Sequence, residues 1–143
     1  MPFEPNLDPM SLATELSGHH LIDGKLVAPK NGKTFDVINP ATGKVIGQAA
    51  DGDADDVAIA VDIAKKAQKD WAERPARERG KLVAECGRVL MAHTEELGRL
   101  VALESGKALR TESRVEASVL ADMFVFFGGL ASELKGETVP FNP

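Results

Sequence analysis

A strand–turn–strand pattern over residues 34–49, followed within a few residues by a long helical repeat, constrains this chain most. Phe35-Asp36-Val37-Ile38 and Lys44-Val45-Ile46-Gly47-Gln48-Ala49 alternate apolar and polar residues, the period of a half-buried strand. Between them Pro40 fixes φ and Gly43 admits a left-handed residue, so the chain reverses there. The spacing predicts an antiparallel pair. A second pair is predicted over residues 20–27, where Asp23-Gly24 stands between His20-Leu21-Ile22 and Lys25-Leu26-Val27 and supplies a tight hairpin turn.

The period then lengthens. A first helix is predicted over residues 55–73, with Val57, Ala60, Val61, Ala64, Ala67 and Trp71 on one face, the spacing of an amphipathic helix. Asp53, Asp55 and Asp56 stand at its start and Lys65, Lys66 and Lys69 nearer its end, as free amides and the helix dipole favour. A second helix begins near Pro75, tolerated in a first turn because its missing amide had no partner there. Leu82, Cys86, Val89, Leu90 and His93 line one of its faces. Thr94 reads as the cap of a third helix, with Glu95 and Glu96 in the first turn and Ser105-Gly106 at the end, where glycine closes a helix readily.

A fourth helix is predicted over residues 109–135, with Gly136 as its stop. Val115, Val119, Met123, Phe126, Phe127, Leu130 and Leu134 form its apolar stripe. Val125-Phe126-Phe127-Gly128-Gly129-Leu130 is apolar on more than one side, and such a helix needs cover on several faces. Thr138-Val139-Pro140-Phe141 reads as a new extended segment. The expected fold class is therefore α+β, short β-hairpins followed by about four α-helices. Residues 1–18 read as a flexible tail, because Pro2, Pro5 and Pro9 interrupt regular structure; one helical turn is expected at 11–16. Residues 19–143 read as one unit.

Composition narrows the function. Aromatic content is 5% with no tyrosine, and the net charge is −5. Base stacking lacks its platforms and phosphate backbones are repelled, so nucleic acid is excluded as a partner. No apolar run approaches the roughly 20 residues of a membrane helix. The first residues are acidic and proline-rich, unlike a secretory leader, and the lone Cys86 excludes an intrachain disulfide. These readings point to the cytoplasm.

The order of segments resembles the amino-terminal region of the NAD(P)-dependent aldehyde dehydrogenase superfamily. The residues that carry the resemblance are Leu21-Ile22-Asp23-Gly24-Lys25, Val37-Ile38-Asn39-Pro40-Ala41-Thr42-Gly43, the Asp55-Asp56-Val57 start with Ala60, Val61 and Ala64, Pro75-Ala76-Arg77-Glu78-Arg79-Gly80-Lys81-Leu82, Leu103-Glu104-Ser105-Gly106-Lys107 and Gly136-Glu137-Thr138-Val139-Pro140. The resemblance runs from about residue 19 to the end. It implies the leading part of an α/β dinucleotide-binding domain, hence an incomplete domain over 19–143. It implies an enzyme that oxidises an aldehyde with NAD or NADP through a cysteine thiohemiacetal and thioester, working as a homodimer or homotetramer. The family's reactive cysteine, base glutamate, oxyanion asparagine and cofactor lysine come later than residue 143. No catalytic or cofactor-binding residue is therefore assigned here, and the isolated chain is expected to be inactive and to bind neither dinucleotide tightly. A different class stays open: a small helical interaction or oligomerisation module without catalysis.

Among single residues, Cys86 sits in an apolar helical pattern and reads as a small buried hydrophobe rather than a nucleophile. His19, His20 and His93 are weighed as metal ligands, but adjacent histidines on a strand would point to opposite faces and chelate one ion poorly; they read as a loop pair and a helix-flanking histidine. Asp51, Asp53, Asp55 and Asp56 lack the closing glutamate of a calcium loop and read as helix caps. Gly128-Gly129 lies inside a helix, so it serves close packing or a kink rather than a phosphate cradle. Glu104 has two readings. Ordinary surface usage makes it a solvated or capping carboxylate. The resemblance makes it a ligand of a monovalent cation, together with the main-chain carbonyls of Val37 and Ile38.

Overall fold

The computed structural model describes residue 5 and residues 7–141. The expected tail over residues 1–4 and residue 6, like residues 142–143, lies outside the described residues. The order of elements is α1 (Pro9–Leu16), β1 (His20–Ile22), β2 (Lys25–Val27), β3 (Thr34–Asn39), β4 (Lys44–Ala50), α2 (Ala54–Glu73), α3 (Ala76–Ala92), α4 (Thr94–Ser105), a π-helical turn (Leu109–Ser113) and α5 (Arg114–Leu130). The α+β expectation holds, with a fifth helix at the front.

Both predicted hairpins form. In β1–β2, Ile22 faces Lys25, and Asp23 (φ 55°) and Gly24 (φ 69°) make the turn, a pair of left-handed residues that matches strand twist. In β3–β4 the Asn39 carboxamide oxygen accepts the Ala41 amide at 2.9 Å, and the Gly43 amide (φ 68°) reaches the Asn39 carbonyl at 2.8 Å. The register shifts between Val37 and Ile38: Val37 pairs with Gly47 and Ile38 with Val45. Ile46 is thus the extra residue of a β-bulge, and it is buried. A bulge re-aims a side chain out of the strand's alternation, which is how this isoleucine reaches the interior.

The single turn expected at 11–16 is instead a two-turn helix beginning at Pro9. Asp8 caps it by accepting the Met10 amide at 3.1 Å, and Pro9 occupies the first position, where a missing amide costs nothing. The helix is docked. Ser17 Oγ accepts the Gln48 amide at 2.7 Å, and the Gly18 amide donates to the Gln48 carbonyl at 2.7 Å. Arg99 donates to the Leu7 carbonyl at 3.2 Å. Those bonds to β4 and α4 supply what a proline-rich composition does not advertise.

The main layer is an antiparallel pair, α3 on α5, with α4 packed beside it. The face of α5 that enters this layer carries Ala117, Ala121 and Gly128, all buried. The large apolar stripe read from the sequence points away from it: Val119 is 47% and Phe126 61% exposed. Small residues win because they let two backbones approach, and Gly80, Gly87 and Gly128 are the contact points. Gly128 therefore serves close packing, whereas Gly129 meets nothing within 4 Å. α5 ends at Leu130 instead of residue 135, and Leu134 is exposed.

α2 begins one residue before its predicted start and ends where expected. Asp53 accepts the amides of Asp55 (2.9 Å) and Asp56 (3.3 Å), and Asp56 accepts the Asp53 amide at 3.1 Å, a reciprocal capping box. α2 makes no extensive contact with any other helix or strand. Its predicted inner face is open, with Val57 61% exposed. Thr94 is not the cap of α4: its hydroxyl donates back to the Met91 carbonyl at 3.1 Å, and His93, bonded to Glu96, occupies the cap position. Gly106 (φ 72°) closes α4 as predicted.

Candidate functional site

The end of α4 rests on the β3–β4 turn. A Cβ on Gly106 would lie 2.8 Å from Pro40 Cγ, so glycine is needed for approach as well as for its positive φ. This contact brings Glu104 to the strand pair. Glu104 and Val37 line one half-open cavity of about 160 Å³, with Ala13, Leu16 and Ser17 of the α1 segment, Ile46, Gly47 and Gln48 of β4, and Leu100 of α4. Ile38, the third residue of the candidate set, does not line it and is half-exposed. The structure therefore joins two of the three residues around one space.

The donor chemistry suits a hard cation. A carboxylate and main-chain carbonyls are oxygen ligands. The carboxyl end of α4 adds the negative pole of its dipole. Among the described residues no three His, Cys, Asp or Glu side chains converge on a common metal position, so carbonyls would have to complete any shell here.

A second polar node lies at the start of α2. Asp56 is buried and accepts the Lys30 amide at 2.9 Å as well as that of Asp53. These backbone bonds, from Lys30 first and then Asp53, hold its carboxyl below the usual range. Lys30 Nζ donates to Asp55 at 2.7 Å. His20 Nε2 is buried without a hydrogen-bond partner and lies 3.9 Å from Asp56 Oδ2. Gly52 makes room for that ring, since a Cβ there would stand 2.7 Å from Nε2. Asp53 and Asp56 thus cap the helix as expected, while Asp55 and Asp56 fasten the loop before β3.

The third node escaped sequence reasoning. Glu95 of α4 receives two bonds from Arg114 of α5, at 2.6 and 2.8 Å, and one from Arg99 at 2.8 Å. The two guanidinium groups, Arg114 first, hold its carboxyl down to about 2. Arg99 lies four residues on and is a readable helical pair; Arg114 lies nineteen residues on and carries no local signal.

Cys86 is exposed on α3, which corrects the expectation of a buried thiol: the tight face of α3 belongs to Gly80 and Gly87, and Cys86 lies outside it. Its neighbours Glu85 and Arg88 pair with each other. His19 donates to the Ser17 carbonyl at 2.6 Å, so the three histidines stand in three different settings. No helix among the described residues is long and apolar enough to cross a membrane.

Comparison with known proteins identifies the class first. The profile of the aldehyde dehydrogenase family matches residues 26–143, and the chain belongs to that family. A mitochondrial benzaldehyde dehydrogenase of Antirrhinum majus is 35% identical over 122 residues, 84% of this chain and 23% of that protein. Betaine aldehyde dehydrogenase of Staphylococcus aureus, solved in complex with NAD+, is 34% identical and superposes with a TM-score of 0.84 over 92% of this chain and 26% of that one. A point mutant of an aldehyde dehydrogenase from Bacillus cereus is 26% identical, with a TM-score of 0.85 over 99% of this chain and 29% of that one. The chain spans about a quarter of the length of these relatives.

Proposed function

We propose that this chain supplies the leading portion, residues 19–143, of an NAD(P)-dependent enzyme that oxidises an aldehyde to a carboxylic acid. The reacting groups lie in polypeptide outside these residues. In that reaction a cysteine thiolate adds to the carbonyl carbon and forms a thiohemiacetal. Bound NAD(P)+ would supply the hydride acceptor for the oxidation, and water would then hydrolyse the thioester to the carboxylic acid and free thiol. The observation that carries this reading is the superposition on an NAD+-complexed family member along 92% of this chain but only 26% of that enzyme. Cys86 does not substitute for the nucleophile, because its nearest charged neighbours in sequence, Glu85 and Arg88, are spent on each other and a nucleophilic thiol needs a base or cation of its own.

Within this portion, Glu104 with the carbonyls of Val37 and Ile38 is proposed to hold a monovalent cation that ties α4 to the β3–β4 turn. The whole enzyme is read as a cytoplasmic homodimer or homotetramer. The exposed outer face of α5 also favours a second reading, a helical interaction module. Thermal melting with sizing chromatography separates the two readings: the module is expected to melt cooperatively at a defined oligomer size, the leading portion weakly or with aggregation. An activity assay tests where the chemistry lies. The purified chain, given NAD+ or NADP+ and either benzaldehyde or betaine aldehyde, is expected to produce no reduced cofactor above the buffer rate. Sustained, aldehyde-dependent absorbance at the reduced-nicotinamide band would refute the proposal that the chemistry lies elsewhere.

A further inference from the structure

We propose that the half-open cavity where α1, α3 and α4 meet is a binding site for a small aliphatic primary amine, taken up as its ammonium ion. The cavity measures about 350 Å³, within the size of small-molecule pockets. Leu12 and Leu16 of α1, Val89 and Leu90 of α3, and Leu97 and Leu100 of α4 form its wall. Two polar residues at the start of α4, His93 and Glu96, complete the lining. Glu96 is 8% exposed, which is rare for a glutamate that is not fully paired. Its Oε2 accepts from His93 Nδ1, and its Oε1 takes no hydrogen bond among the described residues. No lysine or arginine among those residues pairs with it. Arg99 and Arg88, the nearest in sequence, are held by Glu95 and Glu85.

The chemistry of the lining selects the ligand. An ionised carboxylate only accepts, so the Nδ1 bonded to it carries the proton. A neutral imidazole then has an acceptor at Nε2, and the two polar side chains offer an incoming group acceptors without a donor. While the ring is neutral the pair keeps one negative charge in an apolar setting, and a cation offsets it. An ammonium ion brings the charge and the donors together. Its alkyl tail is buried against leucine and valine. A carboxylate ligand would meet Glu96 with like charge, and an aldehyde or ketone brings no donor. A quaternary ammonium has no N–H and favours aromatic faces, which this lining lacks. The cavity shares Leu16 and Leu100 with the one beside Glu104, so the two sites differ by their carboxylates.

The test follows the leucine and valine methyl groups of this chain by NMR as hexylammonium chloride is added, with potassium chloride in excess to occupy the Glu104 position. The expected result is a saturable shift of the Leu12, Val89 and Leu97 methyls. Hexanol and hexanoate, of equal tail length, bind at least about tenfold more weakly, as the loss of a charge-assisted hydrogen bond requires. Glu96→Gln, with an unchanged circular dichroism spectrum, weakens hexylammonium binding by at least about tenfold. Leu16→Lys, at a half-exposed position of α1, sets the chain's own ammonium at the rim and weakens it at least about fivefold, whereas Leu16→Met stays within about twofold. Leu16→Lys decides alone should Glu96→Gln fail to fold. Shifts that grow without saturating, equal binding of hexanol, or an unchanged affinity in either charge variant would overturn the site.

Discussion

Gly128 lies so close to Gly80 across the α3–α5 crossing that a Cβ on Gly128 would stand 2.6 Å from the Gly80 carbonyl oxygen. The same Cβ would stand 2.7 Å from the Ala84 amide nitrogen. Backbone atoms cannot swing aside as a side-chain tip can, so the two helices would have to part. Gly128→Ala is expected to destabilise the chain by about 1–3 kcal/mol, the usual cost of overpacking. Gly129→Ala, one residue on and facing open space, is expected to be neutral or to add up to about 1 kcal/mol through helix propensity. Urea unfolding of the two variants checks the pair, and equal effects would mean that the crossing tolerates a methyl group.

The Glu95–Arg114 pair links α4 to α5 and makes stability depend on pH. Glu95 is held down to about 2 in the folded chain, against an ordinary value of 4.5. It therefore binds its proton more readily when unfolded. Its stabilising contribution is full above about 4.5 and is lost as the pH falls toward about 2. Glu95→Gln is expected to flatten the acid limb of stability against pH in that window. An unchanged limb in urea titrations across the window would show that the pair carries no linkage.

The capping box of α2 is predicted to matter more than a cap usually does, because α2 has no extensive packing to hold it. Asp53→Ala removes the acceptor for two amides and is expected to cost that helix about 0.5–2 kcal/mol. Amide exchange should quicken across the first turns of α2 and stay unchanged in α3 and α5. Uniform quickening would place α2 inside the global folding unit.

What the sequence made legible is what local chemistry dictates. Asp23-Gly24 and Asn39 to Gly43 announce their turns. Asp53 announces α2, Pro75 lies one residue before α3, and Gly106 ends α4. The hidden parts are those decided at a distance. Alanine and glycine give no periodic signal, so the inner face of α5 was obscured by the louder stripe of Val119 and Phe126. The bulge that buries Ile46 follows from register, and Arg114 finds Glu95 only once α4 and α5 are packed. Of the candidate site, the meeting of Glu104 with Val37 was legible through family resemblance alone. Ile38 stands off the cavity because it follows Val37 on the same strand and so faces the other side of the pair.

The proposed cation site makes its own prediction. Thermal unfolding of the chain should shift upward in potassium chloride relative to choline chloride at equal ionic strength, since a ligand held only by the folded state stabilises it. Glu104→Gln keeps the shape, removes the charge and should abolish the difference. A potassium effect of equal size in the variant would move the ion elsewhere or make it non-specific.

Intact-mass spectrometry of the chain after incubation with benzaldehyde and NAD+ addresses the location of the chemistry most directly. A thiol that performed the oxidation would carry the acyl group as a thioester from the loss of hydride until water released it, so the mass is read on acid-quenched samples taken from the first seconds onward. The account predicts the unmodified mass, with Cys86 still free to react with iodoacetamide. An acyl adduct on Cys86 that appears only with both aldehyde and NAD+ would contradict it.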